Sequence, residues 1–356
     1  MAVITLHKKR LNYNFERLEY FFKQKNIQWS IVTKMLCGNK LFLTEVLNLQ
    51  PNQVCDSRVS NLKAIKEINP KVETIYIKPT PKRSVASVVK YADISMNTNI
   101  NTIKALSQEA QKQNKIHKII IMIELGELRE GVMRENVISF YDQVFRLKNI
   151  EVVGIGANLS CLYGVLPSAD KLIQLSLYKQ LIEATFKKKI KYVSGGSSVT
   201  IPLIFQNKLP QSINHFRVGE TLYQGTNVYN DTPSNLLKQD VFTLKAEIIE
   251  LIEKPMVPEG DFGTNLEGKS FSFNEKEIGK KSFRAILDLG ILDVDQSNIF
   301  PKDTNIRFFG ASSDMIVVDL QTNVKNYKVG DYLEFSLNYM GALRAMNSSY
   351  IEKQVL

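Results

Sequence analysis

Short apolar, β-branched runs alternate with stretches of helical periodicity eight times before residue 225, and no other feature restricts the fold of this chain so far. Strands are read at Trp29–Leu36, Gln53–Ser57, Val72–Ile77, Ile94–Asn97, His117–Leu125, Ile150–Leu159, Lys191–Ser194 and Phe216–Leu222, after a short opening strand. Helical spacing fills the intervals. Leu11 to Lys25 keeps Leu11, Phe15, Leu18 and Phe22 on one face, and similar patterns cover Ser60–Ile65, Asn101–Lys112, Val137–Leu147 and Asp170–Phe186. Units of this kind build a parallel sheet with helices outside it, and eight of them close a barrel. The expected fold class is therefore α/β, with an N-terminal (β/α)8 TIM barrel.

The pattern changes after Gly225. Thr226 to Asn235 is rich in Asn, Thr and Pro and reads as a linker. Short alternating runs follow at Thr243–Ile252, Phe283–Leu289, Asn305–Phe309, Met315–Leu320 and Tyr332–Leu337, with Lys254–Lys281 irregular and polar. Residues 1–235 are expected to form the barrel and 236–356 a mainly β C-terminal domain. At 356 residues the chain has room for both.

A parallel barrel carries its chemistry at the carboxyl ends of its strands. Those ends read Lys34, Asp56-Ser57-Arg58, Lys78, Asn97, Glu124 to Arg129, Asn158 to Cys161, Ser194 to Ser198 and Arg217 to Glu220, a mostly polar rim. Lys34 stands out, because it falls inside the apolar run Ser30–Leu36, where an ammonium group is costly unless paired or chemically used. It is either a snorkelling strand-end lysine or a Schiff-base lysine presented to a cofactor.

Several function classes lose support on composition. A formal charge of +10 could favour nucleic acid, but the basic residues are spread out, and the densest group, Lys187-Lys188-Lys189 with Lys191, lies at an expected helix end. The net field would instead favour a small anionic cofactor or substrate. Cys37, Cys55 and Cys161 show no metal-ligand spacing, and His7, His117 and His215 are scattered, so neither a zinc motif nor a Cys/His catalytic pair is legible. No apolar run approaches the roughly 20 residues that span a bilayer. The expected protein is cytoplasmic, with no metal, no nucleic-acid partner and no membrane partner.

Ser194-Gly195-Gly196-Ser197-Ser198 on strand seven and Arg217-Val218-Gly219-Glu220 on strand eight supply glycines, backbone N–H groups and hydroxyls where barrels bind phosphate. Closing the barrel sets Lys34 of the first strand beside them. A lysine next to a phosphate site points to pyridoxal 5'-phosphate.

At these residues the chain resembles the alanine-racemase-type pyridoxal-phosphate enzymes, and within them the ornithine racemase branch. The resemblance rests on Val32-Thr33-Lys34 with Cys37-Gly38, Asp56-Ser57-Arg58, Tyr91 to Ser95, Leu125 to Gly131, Gly154 to Leu159, Ser194-Gly195-Gly196 and Arg217 to Glu220. Gly310 to Asp314 and the tail from Leu337 extend it past the barrel. It implies that Lys34 carries the cofactor and acts as one base at Cα, and that Arg217 faces the pyridine nitrogen. Ser197, Ser198, Gly219 and Glu220 would surround the phosphate, Asn158 would lie beside the ring, and Arg129 would reach the substrate carboxylate.

It also implies a homodimer in which one subunit's β-domain completes its partner's site. The tyrosine that serves alanine racemases as second base has no counterpart in Asp288 to Asp293, and Gly38 stands where those enzymes place a further tyrosine. Asp314, Asp293 and Cys161 are the candidates for that base. The expected activity is racemisation of an amino acid, a basic or diamino substrate such as ornithine. A decarboxylase of the same fold or a non-catalytic cofactor carrier are the alternatives. The first lacks a cysteine after the barrel, and the second would not need the residues that follow it.

Overall fold

In the computed structural model the described residues are 1–264, Gly268, Ser270, Ser272 and 274–356. They cluster into two units, Lys8–Gln239 and a second composed of Met1–His7 with Asp240–Leu356. The opening strand β1 (Val3–Leu6) belongs to the second unit, since it pairs with strands near that unit's start and end.

The first unit is built on β2 (Gln28–Val32), β3 (Gln53–Asp56), β4 (Glu73–Tyr76), β5 (Ile94–Asn97), β6 (His117–Met122), β7 (Ile150–Gly156), β8 (Tyr192–Ser194), β9 (Gly196–Ser197) and β10 (His215–Val218). Their spatial order is β8-β7-β6-β5-β4-β3-β2-β10-β9, and every pairing is parallel. Because β9 resumes one residue after β8, its bonds to β10 close the sheet into a barrel. The eighth unit of the sequence pattern is thus β10, and the seventh is a strand broken at Gly195. Gly196 is required by close approach, because a Cβ there would lie 2.2 Å from the Phe216 ring.

Strands buried on both faces read as continuous apolar runs, which is why these segments stood out in the sequence. Val32, Cys55, Ile75, Met96, Ile120, Met122, Val153 and Tyr192 form a buried cluster, each apolar side chain contributing about 1.5–3 kcal/mol by leaving water. Helices α1 (Lys8–Gln24), α2 (Lys40–Asn48), α3 (Val59–Ile68), α4 (Val85–Tyr91), α5 (Ile100–Lys112), α6 (Val137–Phe145), α7 (Ala169–Phe186), α8 (Ile201–Phe205) and α9 (Glu220–Gln224) fill the intervals. Asn39, Asn99 and Ser168 cap α2, α5 and α7 through side-chain bonds to backbone N–H groups. On α1 the buried face is Leu11, Asn14, Leu18 and Phe22, with Phe15 only half-buried. Asn14 is there because its amide bonds the carbonyls of Leu222 and Lys238 and accepts from the Lys238 N–H.

Several boundaries differ from the sequence reading: the strands expected to Leu125 and Leu159 end at Met122 and Gly156, and two further differences bear on the site. The first strand stops at Val32, and Lys34–Leu36 is a 3-10 turn. The run expected as a strand through Leu222 bends at Gly219 into α9. The expected linker contains a small hairpin of β11 (Thr226–Asn227) and β12 (Thr232–Pro233).

The second unit is organised by the long β13 (Phe242–Pro255), which pairs with β1, with β14 (Lys281–Leu287) and with β18 (Tyr332–Leu337), all antiparallel. β15 (Ile299–Pro301), β17 (Ile316–Asp319), β16 (Arg307–Ala311) and β19 (Glu352–Val355) extend the sheet, and α10 (Tyr339–Asn347) follows β18. The irregular stretch expected at Lys254–Lys281 includes the end of β13, while its positions 265–267, 269, 271 and 273 lie outside the described residues. Among the described residues no helix is long and apolar enough to cross a membrane.

Candidate active site

Lys34 owes its position to the turn that ends β2. Thr33 is buried, its N–H bonds the Cys55 carbonyl at 2.8 Å, and its hydroxyl reaches Asp56 Oδ2 at 2.8 Å. Asp56 is itself fully buried and also accepts from the Arg58 N–H and the Asn61 amide. Burial pushes its carboxyl above the ordinary range, against the pull of those bonds. This pairing of β2 with the end of β3 anchors the turn, so that Lys34 leaves the sheet exposed while Met35 and Leu36 of the same turn stay buried.

A cavity of about 370 Å³ lies where Lys34, Ser57, Lys78, Arg129, Glu130, Asn158, Cys161 and Arg217 converge, with Ile77, Met96 and Met122 forming apolar wall. Four cations and one carboxylate border it, a balance suited to an anionic ligand. Arg217 is buried, with Nη1 donating to the Ser194 carbonyl at 2.8 Å and hydroxyl at 2.5 Å, and Nη2 donating to the Ala157 carbonyl at 2.9 Å. Three of its five N–H donors are thereby engaged, and no carboxylate is among their partners. Burial lowers its pKa, yet a guanidinium keeps its proton in a protein. Arg129 forms a two-pronged ion pair with Glu130, which raises its pKa further.

The loop carrying Asn158 and Cys161 is fixed by Glu127, which the sequence shows only as one member of the polar rim. Glu127 is 1% exposed and accepts backbone N–H bonds from Ser160, Cys161, Leu162, Tyr163 and Val165, between 2.5 and 3.1 Å. Burial would raise this carboxyl, but those donors together hold it at about 2. Glu127 is therefore engaged by the loop. Asn158 Nδ2 is buried without a hydrogen-bond partner, an orphaned donor on the cavity wall.

The glycine-bearing segments gather a second set of polar groups. Ser198 is buried, and its hydroxyl accepts from the N–H groups of Gly219 at 3.4 Å and Thr221 at 3.3 Å. Thr221 Oγ1 is buried with no partner. Ser197 caps the following turn, its N–H bonding Thr200 Oγ1. Ser198 and Thr221 border a separate cavity of about 650 Å³ with Phe21, Phe205 and Thr226. Glu220 opens α9; burial raises its carboxyl, Asp231 adds to this, and the charge of Lys34 opposes it.

In the second unit, the loops bearing Asp293 and Asp314 pack on each other. Ile291 and Leu292 N–H groups bond the carbonyls of Ser312 and Ser313, and a Cβ on Gly290 would lie 2.2 Å from Asp314 Cα. Asp293 is held by the Ser348 hydroxyl at 2.5 Å and the Gly290 N–H at 3.3 Å. Asp314 is exposed and bonded by its neighbours Ser312 and Ser313. Among the described residues no His, Cys, Asp and Glu side chains group closely enough to hold a metal ion.

A closed parallel barrel with a lysine at the end of its first strand, a buried arginine on its last and a mainly β unit completing the chain defines a class of cofactor-dependent barrel enzymes. The chain belongs to the family described as alanine racemase, N-terminal domain, whose model matches residues 6–227. It is 36% identical over 354 residues, 99% of each chain, to an ornithine racemase of Acetoanaerobium sticklandii. It is 29% identical to a lysine racemase of Thermotoga maritima, over 98% of this chain and 97% of that one. Among solved structures it matches an alanine racemase of Bartonella henselae with covalently bound pyridoxal phosphate, with a TM-score of 0.71, 16% identity, and coverage of 100% of this chain and 99% of that one.

Proposed function

We propose that this chain is a pyridoxal-5'-phosphate-dependent racemase of basic amino acids, interconverting the L and D forms of a diamino substrate such as ornithine. The observation that carries this reading is the cavity in which Lys34 meets Arg217, Arg129 and the orphaned Asn158 amide, in a chain alike to an ornithine racemase along its whole length. The donor set of the Lys34 cavity suits the cofactor, with a surplus of positive charge and an unpartnered amide donor, while Ser198 with its converging N–H groups borders the separate cavity. When bound, the cofactor supplies the electron sink that makes the Cα hydrogen acidic.

Each residue then has a defined task. Lys34 holds the cofactor covalently and, once released, moves a proton at one face of Cα. Arg217, fixed by Ser194 and Ala157, presents its remaining donors to the ring nitrogen. Ser197, Ser198, Gly219 and Glu220 surround the phosphate, Asn158 lies beside the ring, and Arg129 receives the substrate carboxylate. An acid of the second unit, Asp314 ahead of Asp293, serves the opposite face of Cα; exposed Asp314 is bonded by its neighbouring serines, whereas Asp293 is tied to Ser348. We infer a homodimer, located in the cytoplasm, where its free cysteines would stay reduced.

Chiral chromatography after incubation with L-ornithine, L-lysine and L-alanine tests the reading. The expected result is mixed enantiomers from a diamino substrate in preference to alanine. Loss of carbon dioxide, or no change with any amino acid while the cofactor is bound, would reject racemisation.

A further inference from the structure

The barrel interior beneath Arg217 contains a hydrogen-bonded series that the functional reading does not use. His215 and Arg217 alternate on β10 and share its inward face. His215 is fully buried, with Nδ1 2.7 Å from the Ser194 hydroxyl and Nε2 3.1 Å from both Gln53 Oε1 and the Ser30 hydroxyl. Ser194 is the same residue that receives Arg217 Nη1.

Donor and acceptor arithmetic fixes the direction of every bond. A guanidinium only donates, so Ser194 Oγ accepts from Arg217 and must place its own hydrogen elsewhere. His215 Nε2 faces Gln53 Oε1, which only accepts, so the neutral imidazole carries its hydrogen on Nε2 and its bare Nδ1 takes the Ser194 hydroxyl hydrogen. Gln53 Oε1 receives that hydrogen and also the Ser30 hydroxyl at 2.9 Å. The Gln53 amide nitrogen donates to the Glu73 carboxylate and to Tyr192 Oη at 3.2 Å. A flipped Gln53 would set its carbonyl against the Glu73 carboxylate, so Glu73 fixes the amide and, through it, the imidazole.

We propose that His215 and Ser194 are positioning residues for Arg217, forming with Gln53 and Glu73 a one-way hydrogen-bond series that holds the guanidinium toward the cofactor ring. The proposal rests on the reading that Arg217 faces the ring nitrogen. The series gives Arg217, a buried cation with no carboxylate among its own partners, an indirect connection to the Glu73 anion. Its neutral histidine is a consequence of place: burial and the adjacent guanidinium lower the imidazole to about 3. A charged imidazole would need a second acceptor at Nδ1 and would turn the serine hydroxyl away from its present bond.

The test uses the holoenzyme labelled with nitrogen-15 in histidine, reconstituted with pyridoxal phosphate enriched at the ring nitrogen. Long-range proton–nitrogen spectra at neutral pH should show His215 with a bare Nδ1 and a protonated Nε2, in the parent and in Ser194→Thr. In Ser194→Ala the ring-nitrogen signal should shift and kcat should fall about tenfold with KM held, the scale of roughly one lost hydrogen bond, while Ser194→Thr restores both. A protonated Nδ1 on His215, or a folded Ser194→Ala holoenzyme with unchanged ring-nitrogen signal and kcat, would overturn the positioning role. Arg217→Lys separates the two readings: its ring-nitrogen signal must move if the arginine faces the ring. An unmoved signal there rejects the placement of Arg217 even where the histidine tautomer is as expected.

Discussion

A lysine in an apolar strand signals chemistry because its burial is costly, and here the chain meets that cost by ending the strand first. Val32 closes β2, Thr33 locks onto Asp56, and Lys34 emerges exposed. The type of residue was legible in the sequence, whereas the turn was not, because it depends on a carboxylate 23 positions away. If Lys34 holds the cofactor, borohydride should bleach the visible absorbance and leave the cofactor mass on the peptide containing Lys34. A label on Lys78, whose side chain borders the same cavity, would displace Lys34 from that role. Arg217 was legible for a similar reason, as a charge within β10. Its supports Ser194 and Ala157 are 23 and 60 positions away, and no local pattern announces them.

At the scale of elements, barrel strands were legible because burial on both faces writes long apolar runs, and short polar edges were not. β19 alternates exposed and half-buried residues, and β15 has only three. Loops depend most on distant partners, and Glu127 is the example. Glu127→Gln keeps the shape but removes the charge that five N–H groups converge on, so it should cost about 2 kcal/mol and slow turnover by loosening the loop of Asn158. Urea denaturation measures the first effect, and an unchanged midpoint would show that the loop is held by other means. Buried histidines make a second prediction. Burial, the main cause in each case, lowers His117 to about 4 and His215 to about 3, so both stay neutral in the fold. An unfolded chain binds protons at these residues below about 6.5 while the folded chain does not, so stability is full above that pH and declines as pH falls toward 4. On the order of 2 kcal/mol for each histidine should be lost by pH 5, and equal urea midpoints at pH 7.5 and pH 5 would contradict it.

The whole molecule must account for a two-faced reaction. Racemisation removes a proton from one face of Cα and returns one to the other, and Lys34, as the proposed base, would serve only the face it occupies. A homodimer built on a two-fold axis repeats each contact, so a second unit that completes the neighbouring subunit's site does so twice. This arrangement predicts a dimer in light scattering at micromolar concentration. It also predicts that Asp314→Asn keeps exchanging the α-hydrogen of one enantiomer for deuterium, through Lys34, while losing exchange of the other. Neither Lys34→Ala nor Asp314→Asn homodimers should racemise. Refolded together in equal amounts, half of the dimers are hybrids, and each hybrid gathers both defects into one site and leaves the other intact. Roughly a quarter of all sites should then regain racemisation, a proportion that follows from the two-fold symmetry alone. No recovery in demonstrated hybrid dimers would place both bases in a single subunit. Full deuterium exchange of both enantiomers by Asp314→Asn would shift the role to Asp293, whose Ser348 bond would then have to open during turnover.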